Sequence, residues 1–108
     1  MANTTGFYRD RDGVYVEKSP GATLDYALNY ATWLDTDTIS SSSFAVETIS
    51  GDTSALTNAG DSNTTTATSI SLSGGSLNNV YTVTNTIVTA GGLTEVRNFR
   101  VTILDRSI

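Results

Sequence analysis

The sequence contains no cysteine and no histidine, and it has one proline and a single lysine, Lys18. Without thiols the chain forms no disulfide and has no thiol nucleophile. Without imidazole it lacks the commonest general base and the commonest metal ligand. These absences exclude most catalytic and metal-binding arrangements, so we predict no enzymatic activity, no cofactor and no metal site. Packing and hydrogen bonding must therefore stabilise the folded chain.

Long apolar runs are also missing, and no stretch approaches the roughly 20 apolar residues that a membrane-spanning helix needs. The polar start of the chain lacks the apolar segment of a secretion signal, which predicts synthesis in a cytoplasm and no membrane partner. The net charge of -5 repels phosphate backbones, so nucleic acid is not an expected partner either. A chain of 108 residues has room for one domain with one core.

Threonine and serine are abundant, with 19 and 13 of the 108 residues. Threonine suits a half-exposed strand, because its β-branch fits the pleat and its hydroxyl faces water. Apolar and polar residues alternate most clearly over residues 80–89 and 94–104, on either side of Gly91 and Gly92. This pattern predicts two long antiparallel strands joined in a hairpin. Their inward face would carry Tyr81, Val83, Ile87, Phe99, Val101 and Ile103.

Shorter alternating stretches at residues 14–16, 23–30, 42–47 and 66–72 predict further strands, and residues 23–30 are expected at the centre of a sheet. Residues 49–66 predict a mobile loop or a weak edge strand near residues 55–57. Together these elements predict an all-β fold, a β-sandwich of six to seven antiparallel strands. We expect a flexible N-terminal arm at residues 1–13 and a sandwich domain at residues 14–108. The predicted core comprises Leu24, Tyr26, Leu28, Trp33, Phe44, Val46, Ile70, Leu72, Tyr81, Val83, Phe99 and Val101.

The arm holds the candidate partner-binding residues Phe7, Tyr8, Arg9 and Arg11. Two aromatic rings in a short polar segment have no interior of their own, so they either cover an edge of the domain or dock on another subunit. The segment from Asp10 to Gly13 resembles the start of a calcium loop. It lacks the further acidic ligands of such a loop, so a plain turn is the better interpretation.

Two features near residue 35 allow a functional and a structural interpretation. An exposed Trp33 could stack on a sugar ring, whereas the only tryptophan of a small β-sandwich is more often its core anchor, and we favour the core. Asp35 and Asp37 could act as general acid and base. Two aspartates in a threonine-rich turn are better explained by solvation and hydrogen bonding of the turn.

The order of several segments resembles a group of small virion proteins of tailed bacteriophages. The segments are Ser19-Pro20-Gly21 with Asp25-Tyr26, then Trp33-Leu34, Asp37-Thr38-Ile39, Ser73-Gly74-Gly75 and Tyr81-Thr82-Val83-Thr84-Asn85. The likeness spans residues 18–104, so it leaves the arm outside. It implies an immunoglobulin-like structural protein of the neck or tail. In such domains a tyrosine placed like Tyr81 holds an upstream backbone group with its hydroxyl.

This resemblance implies a virion adaptor that attaches fibres or joins virion components. Its expected partners are other virion proteins of the neck, tail or fibres, in a multi-copy homo-oligomeric arrangement. The expected location is the virion, after synthesis in the host cytoplasm. A capsid decoration protein and a glycan-binding module of a host-recognition structure are the alternatives.

Overall fold

The computed structural model describes residues 8–11 and 13–105. These residues form eight β-strands and one short helix. In chain order the elements are β1 (Tyr8–Asp10), β2 (Gly13–Lys18), β3 (Leu24–Asn29), α1 (Ala31–Leu34), β4 (Ile39–Val46), β5 (Thr57–Asn63), β6 (Ala67–Ser73), β7 (Val80–Thr89) and β8 (Thr94–Ile103).

The strands form a five-stranded sheet in the order β1-β2-β8-β7-β4 and a three-stranded sheet in the order β3-β6-β5. The all-β prediction is confirmed, and the seven strands β2 to β8 match the expected number, with β1 as a short addition within the arm. The expectation that all strands run antiparallel is wrong, because β2 and β8 are parallel. Alternation of apolar and polar residues reports which side chains face inward, but it does not encode the direction of the neighbouring strand.

The predicted terminal hairpin is confirmed almost residue for residue. β7 and β8 pair over their whole lengths, with Val83 opposite Phe99 and Val88 opposite Thr94. The turn between them contains Gly92 at φ +89°, a conformation in which a side chain would be strained. The hairpin forms the centre of the five-stranded sheet and one wall of the core.

The core lies between the two sheets, and most of the predicted core residues are buried or half-buried. Leu24 and Trp33 are corrections, because 36% and 38% of their surfaces are exposed. β3 lies at an edge of the smaller sheet and not at its centre, so Leu24 has a neighbouring strand on one side only. Residues 31–34 form α1, which carries Trp33 on the surface of the sandwich.

A second cluster of buried residues closes one end of the sandwich and consists of Tyr30, Leu34, Ile39 and Ile87. The Tyr30 N–H donates to the Thr66 carbonyl at 2.9 Å, and the Ile39 N–H donates to the Thr65 carbonyl at 2.9 Å. These two bonds tie α1 and the start of β4 to the β5–β6 turn. For residues 49–66 the second alternative, an edge strand, is confirmed: β5 lies at the edge of the smaller sheet next to β6, a few residues later than predicted.

Tyr81 makes the contact that the resemblance implied. Its ring is fully buried, and its hydroxyl accepts a hydrogen bond from the backbone N–H of Ser76 at 3.1 Å. The same hydroxyl donates to the carboxylate of Asp52, which also accepts from the Ser76 hydroxyl. The loop before β7 and the loop before β5 are thus joined at one buried phenol.

Lys18 is buried, which the sequence did not indicate. Its ammonium Nζ donates to the carbonyl oxygens of Ser19 at 2.8 Å and Gly74 at 2.6 Å. Burial lowers the pKa of this ammonium from its usual value. The aliphatic stem packs inside the domain while the charged end is satisfied by backbone carbonyls.

Candidate partner-binding surface

The part of the predicted arm that forms β1, residues 8–10, lies at the outer edge of the larger sheet. The backbone of β1 pairs with β2 and places Tyr8 opposite Tyr15 and Arg9 opposite Val14. Arg11 is exposed in the turn after β1. Phe7 lies outside the described residues, as do the side chains of Tyr8 and Arg9. The structure therefore gives the arm a position in the fold and leaves its role as a partner contact a prediction.

A second surface lies at the end of the sandwich that α1 closes, and it consists of Tyr30, Trp33 and Arg97. We call these three residues the aromatic–arginine cluster. The Tyr30 and Trp33 rings meet edge to face, with centroids 6.4 Å apart and planes at 71°. The Arg97 guanidinium carbon lies 4.6 Å from the centre of the Tyr30 ring and 6.0 Å from that of Trp33. These are the distances of cation–π contacts.

Local backbone structure explains why Trp33 lies at the surface. The Ala31 N–H donates to the side-chain oxygen of Asn29 at 2.9 Å, and the Leu34 N–H donates to the Tyr30 carbonyl at 2.8 Å. These bonds wind one helical turn, which ends at Asp35 with φ at +56°. Within that turn Leu34 faces the core, so Trp33, one position earlier, points away from it.

Tyr30 is the buried and fixed member of the cluster, on which the other two side chains rest. Its ring is fully buried, and its hydroxyl donates to the side-chain oxygen of Asn85 at 2.8 Å. Burial raises the pKa of the Tyr30 phenol to about 12, while the nearby Arg97 charge acts in the opposite direction. The phenol therefore stays protonated, and its ring has a single position under the guanidinium.

Asn85 holds Tyr30 in place and joins the two sheets. Its side-chain oxygen also accepts from the Thr68 hydroxyl on β6 at 2.8 Å. Its amide nitrogen donates to the Ser42 hydroxyl at 3.0 Å and to the Ser43 carbonyl at 2.9 Å, both on β4. We did not predict this role. The signal in the sequence is a polar residue at an inward position of β7, between Val83 and Ile87.

Arg97 has spare hydrogen-bonding capacity. Its Nε atom lies 3.4 Å from a carboxylate oxygen of Glu95, and this is a partly exposed ion pair that contributes little stability. Among the residues that the structure describes, the two terminal nitrogens of Arg97 have no hydrogen-bond acceptor. A guanidinium stacked on aromatic rings with both terminal nitrogens available is arranged to accept a carboxylate through two parallel bonds.

The aspartates near the cluster serve the turns, as predicted for Asp37. Its carboxylate accepts from the Thr38 N–H at 2.8 Å and from the Gly91 N–H at 3.0 Å. Hydrogen bonding from the Thr89 hydroxyl is the main reason that the pKa of Asp37 is lowered. The carboxylate thus fastens the β7–β8 turn to the loop after α1. Next to that turn, 57% of the surface of Leu93 is exposed.

Within residues 8–11 and 13–105, no three histidine, cysteine, aspartate or glutamate side chains come together as metal ligands would. The same residues contain no helix that is long and apolar enough to cross a membrane. An open depression of about 310 Å³ lies against β5 and β6. Its polar lining includes Asp25, Asp61 and Ser62.

A sequence model of one protein family matches residues 18–102, and the family is described as podophage GP4 fiber-tail adaptor protein gp77. The match begins at the last residue of β2 and ends within β8, so it includes the aromatic–arginine cluster and leaves the arm outside. None of the curated proteins matches the chain.

Proposed function

This chain belongs to the family of the podophage GP4 fiber-tail adaptor protein gp77, and on that premise we propose that the aromatic–arginine cluster is where it grips a partner. The protein is a structural adaptor of a phage tail, as the sequence resemblance implied, and therefore a component of the virion. Its partners are other virion proteins. The proposal concerns which of its surfaces makes the contact.

Composition and rigidity support the cluster as a contact. Tryptophan, tyrosine and arginine are the residue types in which binding energy concentrates at protein interfaces. Trp33 keeps 38% of its surface exposed while its ring rests against Tyr30, and this single observation carries the proposal. Because Asn85 fixes Tyr30, little conformational entropy remains to be lost on binding.

Charge indicates what the partner offers. The free terminal nitrogens of Arg97 suit a carboxylate, and the exposed Trp33 ring beside them suits an apolar side chain. We infer a partner surface with an aspartate or glutamate next to an apolar residue. Such a contact would tolerate the net charge of -5, since the guanidinium locally offsets it.

We propose the arm as a second contact, through Phe7, Tyr8, Arg9 and Arg11. β1 supports this role because it is an edge strand of the larger sheet, and an edge strand can pair with a strand of a neighbouring subunit. Limited proteolysis of the free chain and of the assembled tail tests this contact. Equal cleavage before Val14 in both would refute it.

We also propose that the fold is an immunoglobulin-like sandwich spanning residues 14–108. The order β3-β6-β5 in one sheet and the neighbours β4, β7 and β8 in the other correspond to the B-E-D and C-F-G strands of such domains. The hydrogen bond from the Ser76 N–H to the Tyr81 hydroxyl resembles their tyrosine corner. In antibody domains the second disulfide cysteine lies two residues after that tyrosine, and the corresponding residue here is the buried Val83.

We propose that the protein has no catalytic activity and that it is present in several copies per particle. A glycan-binding role is the second candidate, because Trp33 is 38% exposed and an exposed indole can stack on a sugar ring. The two roles differ in Arg97. A protein contact needs the guanidinium of Arg97, whereas a sugar needs an uncovered face of the tryptophan ring. Arg97→Ala would therefore weaken binding to a protein partner and leave binding to a sugar intact.

Complementation of tails tests the adaptor contact. Particles assembled without the chain would be supplied with the wild type, Trp33→Ala or Arg97→Lys, and fibres per tail counted by electron microscopy. We expect both variants to lower fibre occupancy at least fivefold, since Lys retains the charge but not the bidentate geometry. Leu77→Ala, at another exposed apolar residue, is the matched control and should behave as the wild type. Full occupancy with both cluster variants would refute the contact.

A further inference from the structure

Four strands lie at the sheet edges, and they differ in charge. β1 contains Arg9 and Asp10, β3 contains Asp25 and β5 contains Asp61. β5 also has a register irregularity between Asn58 and Gly60, and β4 has one at its start, between Ile39 and Ser41, after which its pairing with β7 is regular as far as Val46. β4 is the longest of the four and, among the edge strands that the structure describes, the only one with no charged residue. Natural proteins usually protect exposed edges with charges, proline or bulges, so the part of β4 from Ser41 to Val46, which has none of these, indicates a pairing surface.

The backbone of β4 presents a regular set of free groups. The Glu47 N–H donates to the Thr82 carbonyl at 2.9 Å, so that pair is hydrogen-bonded in the ladder with β7. In an antiparallel ladder such pairs alternate with pairs that are not bonded to each other. Ser42, Phe44 and Val46 are of the second kind, and their N–H and C=O groups point away from β7. None of these six groups has a hydrogen-bond partner within the described chain.

We propose that β4 pairs with β4 of a second copy of this chain, antiparallel across a twofold axis at Phe44. In this register Phe44 faces Phe44 of the partner subunit, and each Ser42 faces Val46 of the partner subunit. Each copy supplies three N–H donors and three carbonyl acceptors, so all of them are paired. The edge is therefore complementary to itself, as an isologous contact must be.

Side chains and charge favour a second copy as the occupant. Phe44 and Val46 are only half-buried because β4 ends the sheet, and a paired strand would cover them further. On the opposite face Ser41, Ser43 and Ala45 are exposed and small, so they leave room for a strand alongside. Two copies of net charge -5 repel each other, and β4 is the edge where no acidic residue would face its own symmetry mate. This inference extends the adaptor role, since a pair would present two aromatic–arginine clusters.

Sedimentation velocity of the isolated chain from micromolar to millimolar concentration tests the pairing. We expect a monomer–dimer equilibrium that tightens as salt screens the repulsion between copies. Ala45→Lys places two like charges at diagonal positions across the proposed pair and should weaken dimerisation at least tenfold. Ala59→Lys, the same exchange at an exposed position on the β5 edge, is the matched control and should dimerise as the wild type.

Hydrogen exchange supplies a backbone readout. The amides of Ser42, Phe44 and Val46 should become slower to exchange as the concentration of the wild type rises, and not in Ala45→Lys. A monomer at every concentration would overturn the pairing, as would equal weakening by both lysine variants. Protection of these amides only in the assembled tail would also overturn it, in favour of a strand from another protein. Fibre attachment plays no part in this experiment, so its failure would leave the adaptor contact standing.

Discussion

Asn85 shows how one side chain can organise a site that it does not itself expose. It is fully buried, and its side chain makes hydrogen bonds with the hydroxyls of Tyr30 and Thr68 and with β4 at the same time. Buried polar networks of this kind stabilise when complete and are costly when one member is removed. The aromatic–arginine cluster therefore depends on a residue in the core of the sandwich.

Replacing Asn85 with Leu should lower the free energy of unfolding by about 2–4 kcal/mol. The variant keeps the branched shape of the side chain, with bulkier methyl groups, but leaves the buried hydroxyls of Tyr30 and Thr68 without a partner. Urea denaturation measures the change. Asn98→Leu on β8 is the control, since that side chain is exposed, and it should change the stability by less than about 0.5 kcal/mol. Equal losses in both variants would contradict the network.

The Tyr30 phenol should ionise only at high pH. Its folded pKa of about 12 lies above the ordinary value of 10.0, so the stabilisation that it provides is complete below pH 10.0 and is lost as the pH rises through about 12. Ultraviolet titration of the phenolate band should show a step near pH 12 that is absent in Tyr30→Phe. If the difference between the two titration curves appears near pH 10.0 instead, the phenol is not shielded as the structure indicates.

Among the elements, the turn between β6 and β7 is under the strictest steric control. Gly75 has φ at +99°, and a methyl group there would lie 2.6 Å from the Ile103 side chain. Gly51 has φ at +83° with open space around it. The two glycines thus separate the cost of a left-handed backbone from the cost of overpacking.

Gly75→Ala should destabilise the domain more than Gly51→Ala. Both variants bear a backbone penalty of about 1 kcal/mol, and Gly75→Ala adds roughly 1–3 kcal/mol because Ile103 must move. Thermal denaturation of the two variants and the wild type gives the difference directly. Equal melting temperatures for the two variants would show that the β6–β7 turn yields without cost.

The elements with the most regular alternation of apolar and polar residues were the ones that the sequence predicted best. The β7–β8 hairpin followed from alternation over twenty residues and a glycine turn, and the structure confirms it. The position of β3 at an edge did not follow, because Leu24, Tyr26 and Leu28 alternate in the same way in a central strand and in an edge strand. α1 was missed because one helical turn has no measurable periodicity, and Trp33 was therefore assigned to the core.

At the scale of the whole molecule, the candidate site depends on long-range contacts that no local pattern reports. Arg97 meets Tyr30 and Trp33 across more than sixty positions of the chain, and only the fold brings them together. The sequence suggested the arm as the contact because two aromatic rings in a polar segment are visible locally. The tail-adaptor role followed from the order of segments, which is a property of the whole chain.

The pH dependence of stability is also a property of the whole domain. Hydrogen bonds from Ser76, then Tyr81 and then the Ser54 N–H lower the pKa of Asp52 below 3.8. A depressed carboxyl pKa contributes stability above pH 3.8, and this stability is lost as the pH falls through the folded value. The melting temperature should therefore fall below about pH 4, and less steeply in Tyr81→Phe. Parallel curves for the two proteins would contradict this linkage.

The parallel pairing of β2 and β8 has a mechanical consequence. Tyr15 lies opposite Arg100 and Lys18 opposite Ile103, so the leading end of β2 and the trailing end of β8 face opposite ways. A force that pulls on those two ends would shear the two strands along their length. All hydrogen bonds between β2 and β8 would then bear the force together, instead of breaking one after another.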